Sequence, residues 1–106
     1  MLAPFSIIIP CYNEEGRIGQ TLRLTLDYLA ANAPDSELIV VNDGSTDGTG
    51  AIARERLKSA NITARLLENF PNRGKGAAVQ AGLLAARTPI GLFSDADLST
   101  PLEETP

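Results

Sequence analysis

The chain has 106 residues, 43% of them apolar and 21% charged, with a formal net charge of -4. A single core takes about 100 to 200 residues, so residues 1–106 make one domain or part of one. The acidic balance argues against a nucleic-acid-binding surface, the lone Cys11 excludes an internal disulfide, and the absence of His removes the commonest zinc ligand.

The N-terminal "MLAPFSIIIP" has no basic stretch ahead of an apolar one, and no apolar run approaches the roughly 18 residues that span a bilayer. The cytoplasm is therefore the expected compartment.

In chain order, "FSIII" (Phe5 to Ile9) is a β-branched run stopped by Pro10, and "ELIVV" (Glu37 to Val41) is a second, stopped by "NDGS". Continuous apolarity predicts central strands of a parallel sheet covered on both faces. Between them Ile18, Leu22, Leu26 and Leu29 recur at helical spacing, with Pro34 as the breaker and Asn13 as the expected N-cap, Glu15 lying in the first turn. A second helix is predicted from about Asp47 to Lys58, with Ser45, Thr46 or Asp47 as N-cap. A third strand follows in "ITARLL", then an alanine-rich helix from about Ala77 to Arg87, then a fourth strand in "IGLFSD". The alternation predicts a doubly wound α/β layer: a mainly parallel sheet with helices on both faces. Ligands of such sheets bind outside the carboxyl ends of the strands, so the loops after each strand carry the interest.

Those loops are "PCYNEE", "NDGSTD", "ENFPNRGKG" and "SDADLSTP". Any single one is explained by strand ends meeting water and by the turn chemistry of Asp, Asn, Gly and Ser; four at one edge are harder to dismiss. In extended chain Asp95 and Asp97 share a face, so they either share a proton or meet a hard divalent cation. With no His and no nearby Cys, Mg2+ or Mn2+ suits them best, although an isolated Asp-x-Asp is a common pattern. Asp43 can accept from a nucleobase N–H or a ribose hydroxyl, or cap the next helix. Lys75, between glycines ahead of a helix, can face an anion together with free backbone N–H groups, or mark a solvated helix entry. Tyr12 can flank a base ring and Glu14 can accept from it. No G-x-x-x-x-G-K-[ST] and no G-x-G-x-x-G is present, which disfavours classical NTPase and NAD sites.

Taken together, "IIIPCYNEE", "IVVNDGSTDGT", "NRGKGAAVQAGLLAA" and "FSDADLSTP" resemble the nucleotide-binding half of a family 2 glycosyltransferase of the GT-A, Rossmann-like fold, over about Phe5 to Glu104. The branch most resembled moves sugar from a nucleotide donor to dolichyl or polyprenyl phosphate. The resemblance implies that Pro10, Tyr12 and Glu14 line the nucleotide and that Asp43 contacts base or ribose. It also implies that Lys75 lies near the donor and that Asp95 and Asp97 hold the divalent ion on its diphosphate, Asp95 also touching the nucleotide sugar. It implies inversion at the sugar, with the metal assisting departure of the nucleoside diphosphate.

Two positions depart from the family pattern: Asn42 stands where many members have Asp, and Ser99 stands where mannose-transferring members often have Gln. The second favours UDP-glucose over GDP-mannose as donor. The acceptor loops and any acceptor base of the family follow the Asp-x-Asp strand, and this sequence stops soon after it, at "PLEETP". The expectation is a truncated chain that binds nucleotide weakly and does not turn over alone. The longer protein would associate with the cytoplasmic face of a membrane, and the exposed edge of the fourth strand would favour a homodimer. The competing classes are a non-catalytic nucleotide-binding fragment and a nucleotidyltransferase. The latter would usually carry a glycine-rich, arginine-containing loop where this chain has "CYNEEGRI".

Overall fold

The computed structural model describes residues 4–88 and 91–93; Asp95, Asp97 and Ser99 lie outside the described residues, as does the end of the predicted fourth strand. Strands and helices alternate as β1 (Ser6–Cys11), α1 (Ile18–Asn32), β2 (Glu37–Asp43), α2 (Thr49–Leu57), β3 (Thr63–Asn69), α3 (Lys75–Ala85) and β4 (Gly91–Phe93). The sheet order is β3-β2-β1-β4 and every neighbouring pair is parallel. The chain winds outward from β1 to β3, then returns to the other side of β1 at β4. This is the order reversal that leaves a crevice at the carboxyl edge.

β1 and β2 are buried along their whole length, and the period of two sorts their side chains between two cores. Ile7, Ile9, Cys11, Leu38 and Val40 pack on one face against Ile18, Leu22 and Leu29 of α1 and Ala53 of α2. Ile8, Ile39 and Val41 pack on the other against Ala78 of α3. Each fully buried Ile, Val or Leu contributes about 1.5–3 kcal/mol, so the two central strands are a stiff floor for whatever their ends carry. α3 lies very close: a Cβ added at Gly82 would come within 2.5 Å of Ile8 Cγ2. The small residues of this helix are what allow that approach.

The buried stripe of α1 is wider than its leucines suggest. Thr21 and Thr25 are also buried, and the Thr25 hydroxyl donates to the Thr21 carbonyl at 2.8 Å, which satisfies it inside the core. Pro10, expected to stop β1, instead sits within it, opposite Val41. α3 starts at Lys75, earlier than the alanine run implies.

At the opposite, amino edge, Glu37 is a buried carboxylate. Its Oε2 accepts from the Ser6 hydroxyl at 2.7 Å and from the Arg87 amide at 2.6 Å, and its Oε1 faces Arg65 Nη2 at 3.2 Å. Arg65 also donates to the Ala85 carbonyl at the end of α3. One carboxylate thereby joins β1, β2, β3 and the exit from α3.

Candidate functional site

Three loops meet at the carboxyl edge and are laced together by side chains. From the β1–α1 loop, the Asn13 amide donates to Ser45 Oγ at 3.0 Å and the Glu14 amide to Thr49 Oγ1 at 2.8 Å. In return Thr46 donates its backbone N–H to Asn13 Oδ1 at 2.8 Å, and Gly48 donates to Glu15 Oε2 at 3.3 Å. Asn13 adopts φ 51°, a left-handed conformation that Asn tolerates better than most residues.

These bonds correct the expectation that Asn13 and Glu15 serve the start of α1. That helix begins at Ile18 without a side-chain cap. A turn intervenes in which the Glu14 carbonyl accepts from Arg17 at 2.9 Å and Ile18 at 2.8 Å. Asn13 and Glu15 instead serve the neighbouring loop and the start of α2. α2 itself begins at Thr49, after Gly48, and Asp47 accepts from the Thr49 amide at 2.9 Å. The Thr49 hydroxyl and amide hold the Asp47 carboxyl below the usual carboxylate range.

Asp43 ties the second loop to the third. Its Oδ1 accepts from the Arg73 amide at 3.0 Å and its Oδ2 from the Gly74 amide at 2.8 Å, while Asn72 Nδ2 donates to its carbonyl at 2.9 Å. Asp43 is buried. The turn ahead of α3 can be read as facing a ligand anion or as a plain helix entry; its Arg73 and Gly74 amides meet this protein carboxylate. A carboxylate has about four acceptor positions, so each oxygen keeps one after its loop amide. Asn42, at the position where Asp was the expected residue, accepts from the Ser45 amide through Oδ1 at 3.3 Å. That acceptor role is one a carboxylate also fills.

The laced loops enclose a cleft of about 500 Å³. Pro10, Tyr12, Glu14, Asp43 and Lys75 all line it, so the structure brings together the five described residues singled out in the sequence. Asp95 and Asp97 lie outside the described residues. Tyr12 is 46% exposed, leaving its ring available to a flat ligand group. Cys11, Arg17, Asn72, Gly74 and Ala78 complete the lining. Of these, Cys11, Arg17 and Ala78 carried no signal as single residues. Arg17 was accessible as the i+3 partner of Glu14, and Ala78 as the residue one turn beyond Lys75 in α3.

Charge in the cleft is mixed. Arg17 Nε donates to Glu14 Oε2 at 2.8 Å, and Lys75 adds a second cation to the lining. The Cys11 thiol is pushed up to about 12, first by burial and then by the charges of Glu14, Asp47 and Asp43. It stays protonated and donates weakly to the Val41 carbonyl at 3.6 Å. Cys11 is part of the floor rather than a nucleophile. Among the described residues, no group of three or more His, Cys, Asp and Glu is placed to hold a metal. No helix among them is long and apolar enough to cross a membrane.

Comparison with known proteins places these observations in a family. Residues 6–104 match Glycosyl transferase family 2. A dolichyl-phosphate beta-glucosyltransferase of Drosophila melanogaster is 44% identical over 101 residues, covering 90% of this chain and 31% of that protein. Among solved structures, the mannosyltransferase PcManGT from Pyrobaculum calidifontis, in complex with GDP-Man and Mn2+, superposes with TM-score 0.80 at 31% identity, over 92% of this chain and 28% of that one. Glucosyl-3-phosphoglycerate synthase from Mycobacterium tuberculosis, in complex with Mn2+, UDP and glucosyl-3-phosphoglycerate, gives TM-score 0.70 at 29% identity, over 89% and 33%. The chain thus spans about a third of the length of the curated relatives it matches.

Proposed function

Because the chain belongs to glycosyl transferase family 2 and is related to dolichyl-phosphate glucosyltransferases, we propose that it forms the donor-binding part of an enzyme that transfers glucose from UDP-glucose to a polyprenyl or dolichyl phosphate, with inversion. The observation that carries this is the convergence of three strand-end loops on one cleft lined by Pro10, Tyr12, Glu14, Asp43 and Lys75. Its size suits a nucleotide, since small-molecule sites run from about 300 to 1,000 Å³.

In this proposal Tyr12 lies against the base, and Glu14 and the remaining acceptor positions of Asp43 take its N–H and the ribose hydroxyls. Lys75, at the start of α3, faces the diphosphate, where the helix N-terminus adds to its charge. β4 reaches Phe93 opposite Ile8 of β1; Asp95 and Asp97 follow it in sequence and are the proposed metal ligands. Their oxygen-only donor set fits Mg2+ or Mn2+, and such an ion, when bound, would stabilise the departing nucleoside diphosphate as a Lewis acid. A phosphate acceptor is ionised at neutral pH, so attack on the sugar needs no base from these residues. A lipid-linked acceptor would bring the longer protein to a membrane surface.

Titration calorimetry of the chain with UDP-glucose, GDP-mannose and UDP, each with and without Mn2+, tests the proposal. Binding of UDP-glucose and UDP that strengthens with Mn2+ is expected. Preference for GDP-mannose would overturn the donor assignment, and no nucleotide binding under any condition would overturn the function.

A further inference from the structure

Among the described residues, Glu14 has partners at every polar group but one. Its amide donates to Thr49 Oγ1 at 2.8 Å, its carbonyl accepts from Arg17 and Ile18, and its Oε2 takes Arg17 Nε at 2.8 Å and Nη2 as well. Both guanidinium contacts fall on the same carboxylate oxygen, so among the described residues Oε1 is the acceptor of this side chain left to a ligand in the cleft. Arg17 is three residues from Glu14, immediately before α1, and its side chain is 58% exposed while that of Glu14 is 23% exposed. An exposed ion pair of this kind adds little to folding. Its consequence is instead geometric: one oxygen of the Glu14 side chain is committed to the guanidinium and the other is presented.

We propose that Arg17 is a positioning residue for the nucleotide base, acting through Glu14 rather than on the diphosphate. The inference rests on the proposed donor site. The guanidinium fork orders Glu14 before the ligand arrives, so the entropy of fixing it is not charged to binding. A lysine at position 17 would supply the charge without the two-pronged geometry.

Binding of UDP, UMP and uridine to the wild-type chain and to Arg17→Met, Arg17→Lys, Glu14→Ala and the double variant Glu14→Ala/Arg17→Met tests this. Arg17→Met is expected to weaken all three ligands by a similar factor, about tenfold for a lost charge-assisted arrangement, and Arg17→Lys to recover part of the loss. In the Glu14→Ala background the same Arg17→Met change should have little further effect, and a uridine methylated at its imide nitrogen should be insensitive to Arg17. The exposed position of Arg17 predicts unchanged thermal unfolding, which separates positioning from a folding defect. A loss confined to UDP, or one that persists undiminished without Glu14, would overturn the inference by assigning Arg17 to the phosphates. Wild-type binding with no effect of Arg17→Met would sink this inference alone, whereas failure of the wild type to bind UDP sinks the donor site and this inference with it.

Discussion

Gly74 donates its backbone N–H to Asp43 Oδ2 at 2.8 Å, while the adjacent Arg73 amide takes Oδ1, so a buried carboxylate at the end of β2 holds the turn that opens α3. An Asp43→Asn variant keeps the size but replaces one acceptor with an NH2 group facing a backbone N–H. We expect a loss of about 1–3 kcal/mol, read as a lower urea midpoint with unchanged slope. UDP affinity should fall as well, because the entry to α3 and Lys75 is no longer held. An unchanged midpoint would show that the loop is secured by other contacts.

The same loop approaches Gly44. That residue has φ 72°, and a Cβ there would lie 2.5 Å from the Asn72 backbone nitrogen, so Gly44→Ala meets both a disfavoured backbone conformation and a backbone clash. A cost of about 1–3 kcal/mol is expected from the conformation alone, with more from displacement of the loop. Gly16→Ala is the control: nothing lies within 4 Å of its added Cβ and its φ is not positive, so its effect should stay within about 0.5 kcal/mol. Equal unfolding midpoints for the two variants would contradict the close packing of these loops.

Much of the fold was legible because the central strands are buried on both faces and their β-branched runs are unbroken. The five described cleft residues were legible because Pro, Tyr, Glu, Asp and Lys each follow a strand or start a helix in a recognisable string. What the sequence did not disclose is pairwise. Asn13 has the composition of a helix cap, yet its partner is Thr46, 33 positions away, and local propensity carries no information about that distance. Asp43 and the glycine loop were each legible as ligand-binding groups; that they bind each other depends on β2 and α3 being brought together by the sheet. Pro10 reads as a terminator from its missing N–H, yet it sits within β1 opposite Val41, a pairing set by the neighbouring strand and not by the residue.

Cys11 lies on the cleft floor with its thiol pushed up to about 12 by burial and by nearby carboxylates. At pH 8 the folded chain should therefore react far more slowly with an aromatic disulfide reagent than the urea-unfolded chain does. The free thiol reference lies near 9.0, so the contrast reflects both ionisation and access. A native rate equal to the unfolded one would mean that the floor opens to solvent. Occupation of the cleft by UDP should slow the native reaction further.

Glu37 provides the pH test. Its burial alone would raise the carboxyl pKa, but the Arg87 amide, the Ser6 hydroxyl and the Arg65 guanidinium outweigh burial and hold it below the ordinary 4.5. The unfolded chain therefore takes up this proton at a higher pH than the folded one. The stability that Glu37 contributes is fully present above pH 4.5 and is lost as pH falls through the lower folded value. Asp47, held below its ordinary value by Thr49, adds a pH dependence of the same sign, so the informative quantity is the difference between wild type and Glu37→Gln. At pH 7 the variant should be less stable by about 1–3 kcal/mol, since Arg65 and the Arg87 amide lose a charged acceptor. That gap should narrow steadily as the solution is acidified below pH 4.5, as measured by urea unfolding across the acid limb. A gap that stayed constant with pH would assign Glu37 a steric role and remove the charge from the account of how the amino edge of the sheet is joined.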